Sequence, residues 1–168
     1  VRNATIFLAA LSFLCGIASG AVYLKHCTGG VKLRASIREL NRSLANESAV
    51  TITTCDLSLT HAGREIEAEA RLTFTNGTDQ PLTACRFSLN PGFKILRAAN
   101  GDKSLPVETR LHTFTVTLPE PLSPGEEYSF ALAYKGAPNE DACYADIHDL
   151  DRGENLRYWV FTVDNRYG

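Results

Sequence analysis

The sequence predicts an all-β domain, an antiparallel β-sandwich, preceded by a transmembrane helix and a short amphipathic helix. Three observations carry this expectation. Ala4 to Leu24 is an uncharged run of apolar and small residues, long enough at about 1.5 Å per residue to span the roughly 30 Å hydrocarbon core of a bilayer. From Val50 onward the apolar period changes from helical to two, the repeat of strands with one buried face. The alternating runs are short and separated by Gly, Pro, Asn and Asp clusters, which is the punctuation of a sandwich. The expected organisation is a transmembrane helix over 1–24, a linker and amphipathic helix over 25–47, and a β-sandwich domain over 48–168.

The N-terminal run has a competing reading as a cleaved signal peptide, with Arg2 as the charged end, Ile6 to Ile17 as the core and Ala18-Ser19-Gly20 as the cleavage site. Against cleavage, the apolar run continues through Ala21-Val22-Tyr23-Leu24. A lipid anchor on Cys15 fits poorly, because bulky Phe13-Leu14 precede it. The chain begins with Val1 and contains no Met, so we expect it to be an excerpt of a longer protein. Lys25, Lys32, Arg34 and Arg38 follow the run whereas only Arg2 precedes it, and the positive-inside tendency alone would place the domain in the cytoplasm. A truncated start removes the upstream charges that this rule weighs. The expectation adopted is an anchored domain on the extracytoplasmic side.

Lys25 to Gly30 reads as a linker. In Val31 to Ala45, Leu33, Ile37, Leu40 and Leu44 recur at helical spacing, with Lys32, Arg34, Arg38 and Arg42 between them. This amphipathic helix either lies on a lipid surface or packs as a stalk on the next domain. In Glu65 to Thr75, Ile66, Ala68, Ala70, Leu72 and Phe74 alternate with Glu65, Glu67, Glu69, Arg71 and Thr73, which predicts a strand with one wet face. Cys55, Leu57 and Leu59 alternate before it, and His61-Ala62-Gly63-Arg64 supplies a hairpin turn. Asn76-Gly77-Thr78-Asp79 is the next turn. Further strands are expected in Leu82–Leu89, His112–Leu118, Tyr128–Tyr134 and Leu156–Val163, with a long surface loop over Asn139–Asn155.

With a net charge of -2 and interspersed signs, the chain offers no basic field, so nucleic acid is not an expected partner. Cys27, Cys55, Cys85 and Cys143 form an even set without C-x-x-C spacing. They are candidates for disulfides with unassigned pairing, or, for Cys55 and Cys85, small buried hydrophobes. His26, His61, His112 and His148 are scattered, no H-E-x-x-H is present, and neither a G-x-S-x-G elbow nor a glycine-rich phosphate loop occurs. The chain is therefore expected to carry no catalytic residue, no metal and no cofactor. The acidic group Glu140, Asp141, Asp146, His148, Asp149 and Asp151 lacks EF-hand spacing and reads as a solvated loop. Asn3, Asn41, Asn46 and Asn76 stand in N-x-S/T triplets, a pattern too short to carry weight. Tyr158, Trp159 and Phe161 are a candidate interface, with apolar residues on both faces of their expected strand.

The stretch Thr53 to Leu89, TTCDLSLTHAGREIEAEARLTFTNGTDQPLTACRFSL, resembles the opening of the N-terminal β-domain of M1-type zinc aminopeptidases: strand, tight turn, acidic alternating strand, N-x-T-x-x-P-L connection. Leu118 to Gly136, LPEPLSPGEEYSFALAYKG, is similar to that domain's Leu-x-Pro-Gly and aromatic-strand segment. With a hydrophobic span ahead of it, the arrangement is similar to bacterial membrane proteins in which ABC-type permease segments precede an extracytoplasmic M1-like part. The G-x-M-E-N and H-E-x-x-H motifs of the family are absent, so the resemblance brings no catalytic or zinc residue. It implies a noncatalytic β-domain that docks against, and helps to shape, a downstream module of the same protein or of a partner. The alternative is a stand-alone, membrane-anchored immunoglobulin-like module that binds a protein or glycan through its loops.

Overall fold

The computed structural model describes the backbone of residues 2–45, 47, 50–143 and 145, and the side chains within it except those of 2–6, 8–10 and 25–29. The chain divides into two units, Val1–Arg38 with Tyr144–Gly168, and Glu39–Cys143.

The first element is a single helix, α1, Arg2–Leu44. The linker expected at Lys25–Gly30 is not a break: the helix runs through Gly29 and Gly30. The physical reason is one of magnitude. Each helical Gly costs only about 1 kcal/mol relative to Ala, and α1 contains no Pro to remove a ladder bond. Within the first unit, Arg34 and Ile37 are buried, and Arg38 Nη1 donates to the Ala145 carbonyl at 2.9 Å. The amphipathic stretch thus turns Ile37 and, further along, Leu40 away from solvent, and part of its basic row is drawn inward.

Along Leu11–Leu24 every residue is exposed, whichever face of α1 it lies on. Phe13, Leu14, Val22 and Leu24 are each more than 60% accessible, at 70%, 62%, 69% and 62%. Among the described residues, no helix is long and apolar enough to cross a membrane. Part of the expected span, 4–6 and 8–10, lies outside the described side chains.

The second unit holds eight strands: β1 Val50–Ala62, β2 Glu65–Asn76, β3 Leu82–Ser88, β4 Phe93–Asn100, β5 Lys103–Ser104, β6 Val107–Arg110, β7 Thr113–Leu122 and β8 Glu127–Gly136, followed by a short 3-10 turn at Glu140–Ala142. They form two antiparallel sheets, one of five strands in the order β1-β2-β8-β4-β5 and one of three in the order β3-β7-β6. The β-sandwich expectation holds. Strand β2 has the alternation expected of it, with Ala68, Ala70, Leu72 and Phe74 buried, and the β1–β2 hairpin turns at Gly63 with φ 63°.

Strands β4 to β6 were not anticipated from the sequence. In β4 the register slips between Ile95 and Arg97, leaving Leu96 and Arg97 both exposed; beyond the slip Ala98 and Ala99 are both buried, and together these erase the period of two that marks a strand. The core joins both sheets: Phe74 and Phe130 from the larger sheet meet Phe87 and Phe114 from the smaller one. Phe74 and Phe87 lie edge to face at 5.3 Å, and Phe87 stacks on Phe114 at 5.3 Å, geometries that add to the burial of area. The strand expected over Leu156–Val163, the loop beyond Ala145 and the Asp146, His148, Asp149 and Asp151 group lie outside the described residues.

Candidate docking surface

Strand β1 shares a register with β2 in which Ile52 faces Phe74, Cys55 faces Leu72, Leu57 faces Ala70 and Leu59 faces Ala68. Those partners on β2 are buried, but Ile52, Leu57 and Leu59 are 50%, 50% and 51% accessible. The apolar inner face of the five-stranded sheet therefore extends past the cover that the three-stranded sheet provides. Such half-exposed rows are unfavourable in water, at about 25 cal/mol per Å², and their usual meaning is a surface that receives something.

Beside this row lies a groove of about 590 Å³. Leu72 and Leu132 contribute from the larger sheet, Phe87 and Phe114 from the smaller one, Ile52, Cys55 and Leu57 from β1, and Asn41, Leu44 and Glu47 from the end of α1 and its exit. Two polar contacts set its rim. Arg86 Nη1 pairs with Glu47 Oε2, and His112 Nε2 lies 2.8 Å from Asn41 Oδ1. Since the Asn41 oxygen only accepts, His112 donates from Nε2, which leaves Nδ1 as the unprotonated nitrogen. That Nδ1 is buried and, among the described residues, has no hydrogen-bond partner; burial lowers the His112 pKa from its ordinary value of 6.5. The groove can hold apolar side chains in a polar frame. It brings together no nucleophile–base pair and no ligand set, and among the described residues no group of His, Cys, Asp and Glu is arranged to hold a metal.

Two asparagines fix the scaffold around this surface. Asn76 is buried; its Nδ2 donates to the carbonyls of Gln80 and Leu122 at 2.8 Å each, and its Oδ1 accepts from Thr78 N and Thr78 Oγ1 at 2.9 and 2.8 Å. Its backbone is bonded to Glu126 O and Gly125 N, so one residue ties the β2–β3 turn to the β7–β8 turn. The N-x-T triplet here is thus a buried joint. Asn90 Oδ1 accepts from Gly92 N and Asn139 N, and its Nδ2 donates to Asn139 O. That clasp sets the start of β4 against the end of β8, where Gly136 at φ 150° leaves so little room that a Cβ would stand 2.2 Å from Gly92 O.

The candidate cysteines are dispersed. Cys85 is buried in β3 and burial pushes its thiol up from 9.0 to about 11; Cys55 is exposed on β1. Both, like Cys143, are free thiols in the structure. Cys85 is a core hydrophobe and Cys55 a member of the groove wall. Cys143 follows the 3-10 turn, its Sγ 3.6 Å from Asn139 O, and the Cys27 side chain lies outside the described residues, as do Tyr158, Trp159 and Phe161. Glu140 pairs with Arg64. The sequence reading named Asn41 only as part of an N-x-S/T triplet and His112 only as one scattered histidine, and it gave Ile52 and Asn90 no role.

No protein-family model matches the chain, and no curated protein matches it. Among solved structures it is similar to the M1 zinc metallopeptidase from Deinococcus radiodurans, to a mutant from that organism bound to a Tyr-Ser-Ala substrate, and to a two-domain M1 zinc metallopeptidase mutant bound to L-arginine. Each is 26% identical, with a TM-score of 0.48, over 54% of this chain and 21% of the other. The chain thus spans about a fifth of the length of these metallopeptidases. A TM-score of 0.48 is too low for the likeness to decide function, which has to be argued from the residues themselves.

Proposed function

We propose that the chain is a noncatalytic, membrane-anchored β-domain of a larger M1 peptidase-like or transporter-associated membrane protein, and that it docks against and shapes a downstream module. The observation that carries this reading is the uncovered inner row of β1, Ile52, Cys55, Leu57 and Leu59, beside the 590 Å³ groove. A sheet face with this much exposed apolar area is a partly built interface. The stretches that resemble the M1 N-terminal domain include most of β1, all of β2 and β3, and the β7–β8 hairpin from Leu118, so they supply this face.

The membrane part of the proposal is supported by the exposed apolar residues on all sides of Leu11–Leu24. A helix that is hydrophobic all round needs burial in protein or lipid. Chemistry is assigned to no residue of this stretch; H-E-x-x-H and G-x-M-E-N do not occur in it.

The test is the intact mass of the native polypeptide, with tryptic peptides mapped beyond Gly168, combined with a Leu57→Arg substitution. The expected result is a longer chain in which Leu57→Arg loosens the β-domain from the following module, read as increased protease cleavage between them. A polypeptide that ends at Gly168 overturns the reading and leaves the stand-alone anchored binding module.

A further inference from the structure

The free edge of β1 poses a separate question from its inner face. β1 stands at the margin of the five-stranded sheet and, among the described strands, pairs only with β2. It is 13 residues long, exposed from Thr51 to its end, and carries neither Lys nor Pro, the residues that most often blunt sheet edges. Its one irregularity is the register slip between Ile52 and Thr54, which leaves Thr54–Ala62 regular.

We propose that Thr54–Ala62 pairs antiparallel with the same segment of a second copy of this chain, about a two-fold axis at Ser58. The sequence is self-complementary in that register. Leu57 meets Leu59 of the second copy on the inner face, Cys55 meets His61, Asp56 meets Thr60 on the outer face, and Ser58 meets itself. The only carboxylate of the segment is opposite an uncharged hydroxyl, whereas an axis at Asp56 would set two like charges directly opposite each other, which destabilises a sheet.

Charge on the next strand points the same way. The outer face of β2 carries Glu67 and Glu69, opposite Thr60 and Ser58 of β1. In the two-fold pair these rows are separated by three strand spacings, about 14 Å, beyond a Debye length of about 8–10 Å. The one carboxylate that each copy brings to this face, Asp56, lies opposite Thr60 and so two strand spacings, about 10 Å, from Glu67; an edge partner with several acidic outer residues would be repelled more. Because nine-residue pairing buries less than the roughly 1,200 Å² typical of stable interfaces, the dimer is a weak one that forms when copies are concentrated. It uses the backbone edge and leaves the groove open, so it stands apart from the docking reading.

The full chain, purified in detergent micelles, tests this with single cysteine substitutions and a copper-phenanthroline oxidant. Opposed residues of antiparallel strands have Cα atoms about 4.5–5.5 Å apart, inside the range a disulfide spans. Ser58→Cys is therefore expected to yield several-fold more disulfide-linked dimer than either the unsubstituted chain or Asp56→Cys. Ser58→Lys, which sets two ammonium groups opposite each other, is expected to shift monomer–dimer sedimentation to higher concentration by several-fold. Ser58→Cys dimer no greater than that of Asp56→Cys overturns the register; an unchanged sedimentation profile for Ser58→Lys overturns the edge pairing itself.

Discussion

At the residue scale, the second unit depends on a few polar side chains that the core surrounds. Asn76 is the clearest. Asn76→Ala removes four side-chain hydrogen bonds and takes from the buried Leu122 carbonyl its Asn76 donor, so we expect a loss of about 2–4 kcal/mol, measured by urea unfolding. Asn76→Asp is expected to cost more, because a carboxylate would face the Gln80 and Leu122 carbonyls that now receive protons. His112 makes stability depend on pH. Its folded pKa lies below its ordinary 6.5, so the unfolded chain takes up protons first and stability falls as pH drops below about 6.5. His112→Gln should flatten the urea midpoint between pH 7.5 and pH 5 relative to the unsubstituted chain. Cys85 and Cys55 should separate under maleimide: Cys55 labels in the folded protein, while buried Cys85, its thiol at about 11, labels only on unfolding. The burial of Cys85 was one of two readings the sequence offered; the roles of Asn76 and His112 were not legible in it. Asn76 read as a turn residue in a sequon and His112 as one scattered histidine, because the partners of both are far away in the chain, Leu122 and Asn41.

At the element scale, what could be read depended on how regular each element is. β2, with its strict alternation, matched its expected bounds within a residue; β4, with its register slip and adjacent buried alanines, left no periodic trace. The end of β8 is a joint of a different kind. Gly136→Ala would place a Cβ against Gly92 O at φ 150°, and we expect a loss of at least about 2 kcal/mol with weaker protection of β4 amides in hydrogen exchange. For α1, the exposed apolar residues of Leu11–Leu24 lead to a direct expectation: the full chain stays in the membrane fraction through alkaline carbonate extraction, and Phe13→Asp with Ile17→Asp releases it. Release of the unsubstituted chain would dismiss the anchor.

At the scale of the whole molecule, the open inner face of the larger sheet matters more than any single residue. The two sheets share one aromatic core, yet β1 lies partly outside it, so the domain is stable around Phe74, Phe87, Phe114 and Phe130 and unfinished at its margin. In the intact protein, Ile52, Leu57 and Leu59 should gain protection from oxidative footprinting relative to the isolated chain. Equal labelling in both would remove the case for a docked module.

By itself the sequence determined that an apolar helix precedes a β-sandwich and that this chain lacks the motifs of zinc-peptidase chemistry, because local period and motif are properties of neighbouring residues. Only the tertiary structure decided that α1 continues through Gly29-Gly30, that Cys85 belongs to the core, and that the apolar row of β1 is left uncovered. An alternating strand reads the same whether its apolar face is covered or bare; which of the two it is depends on how wide the opposing sheet is, and strand pairing between distant segments sets that width.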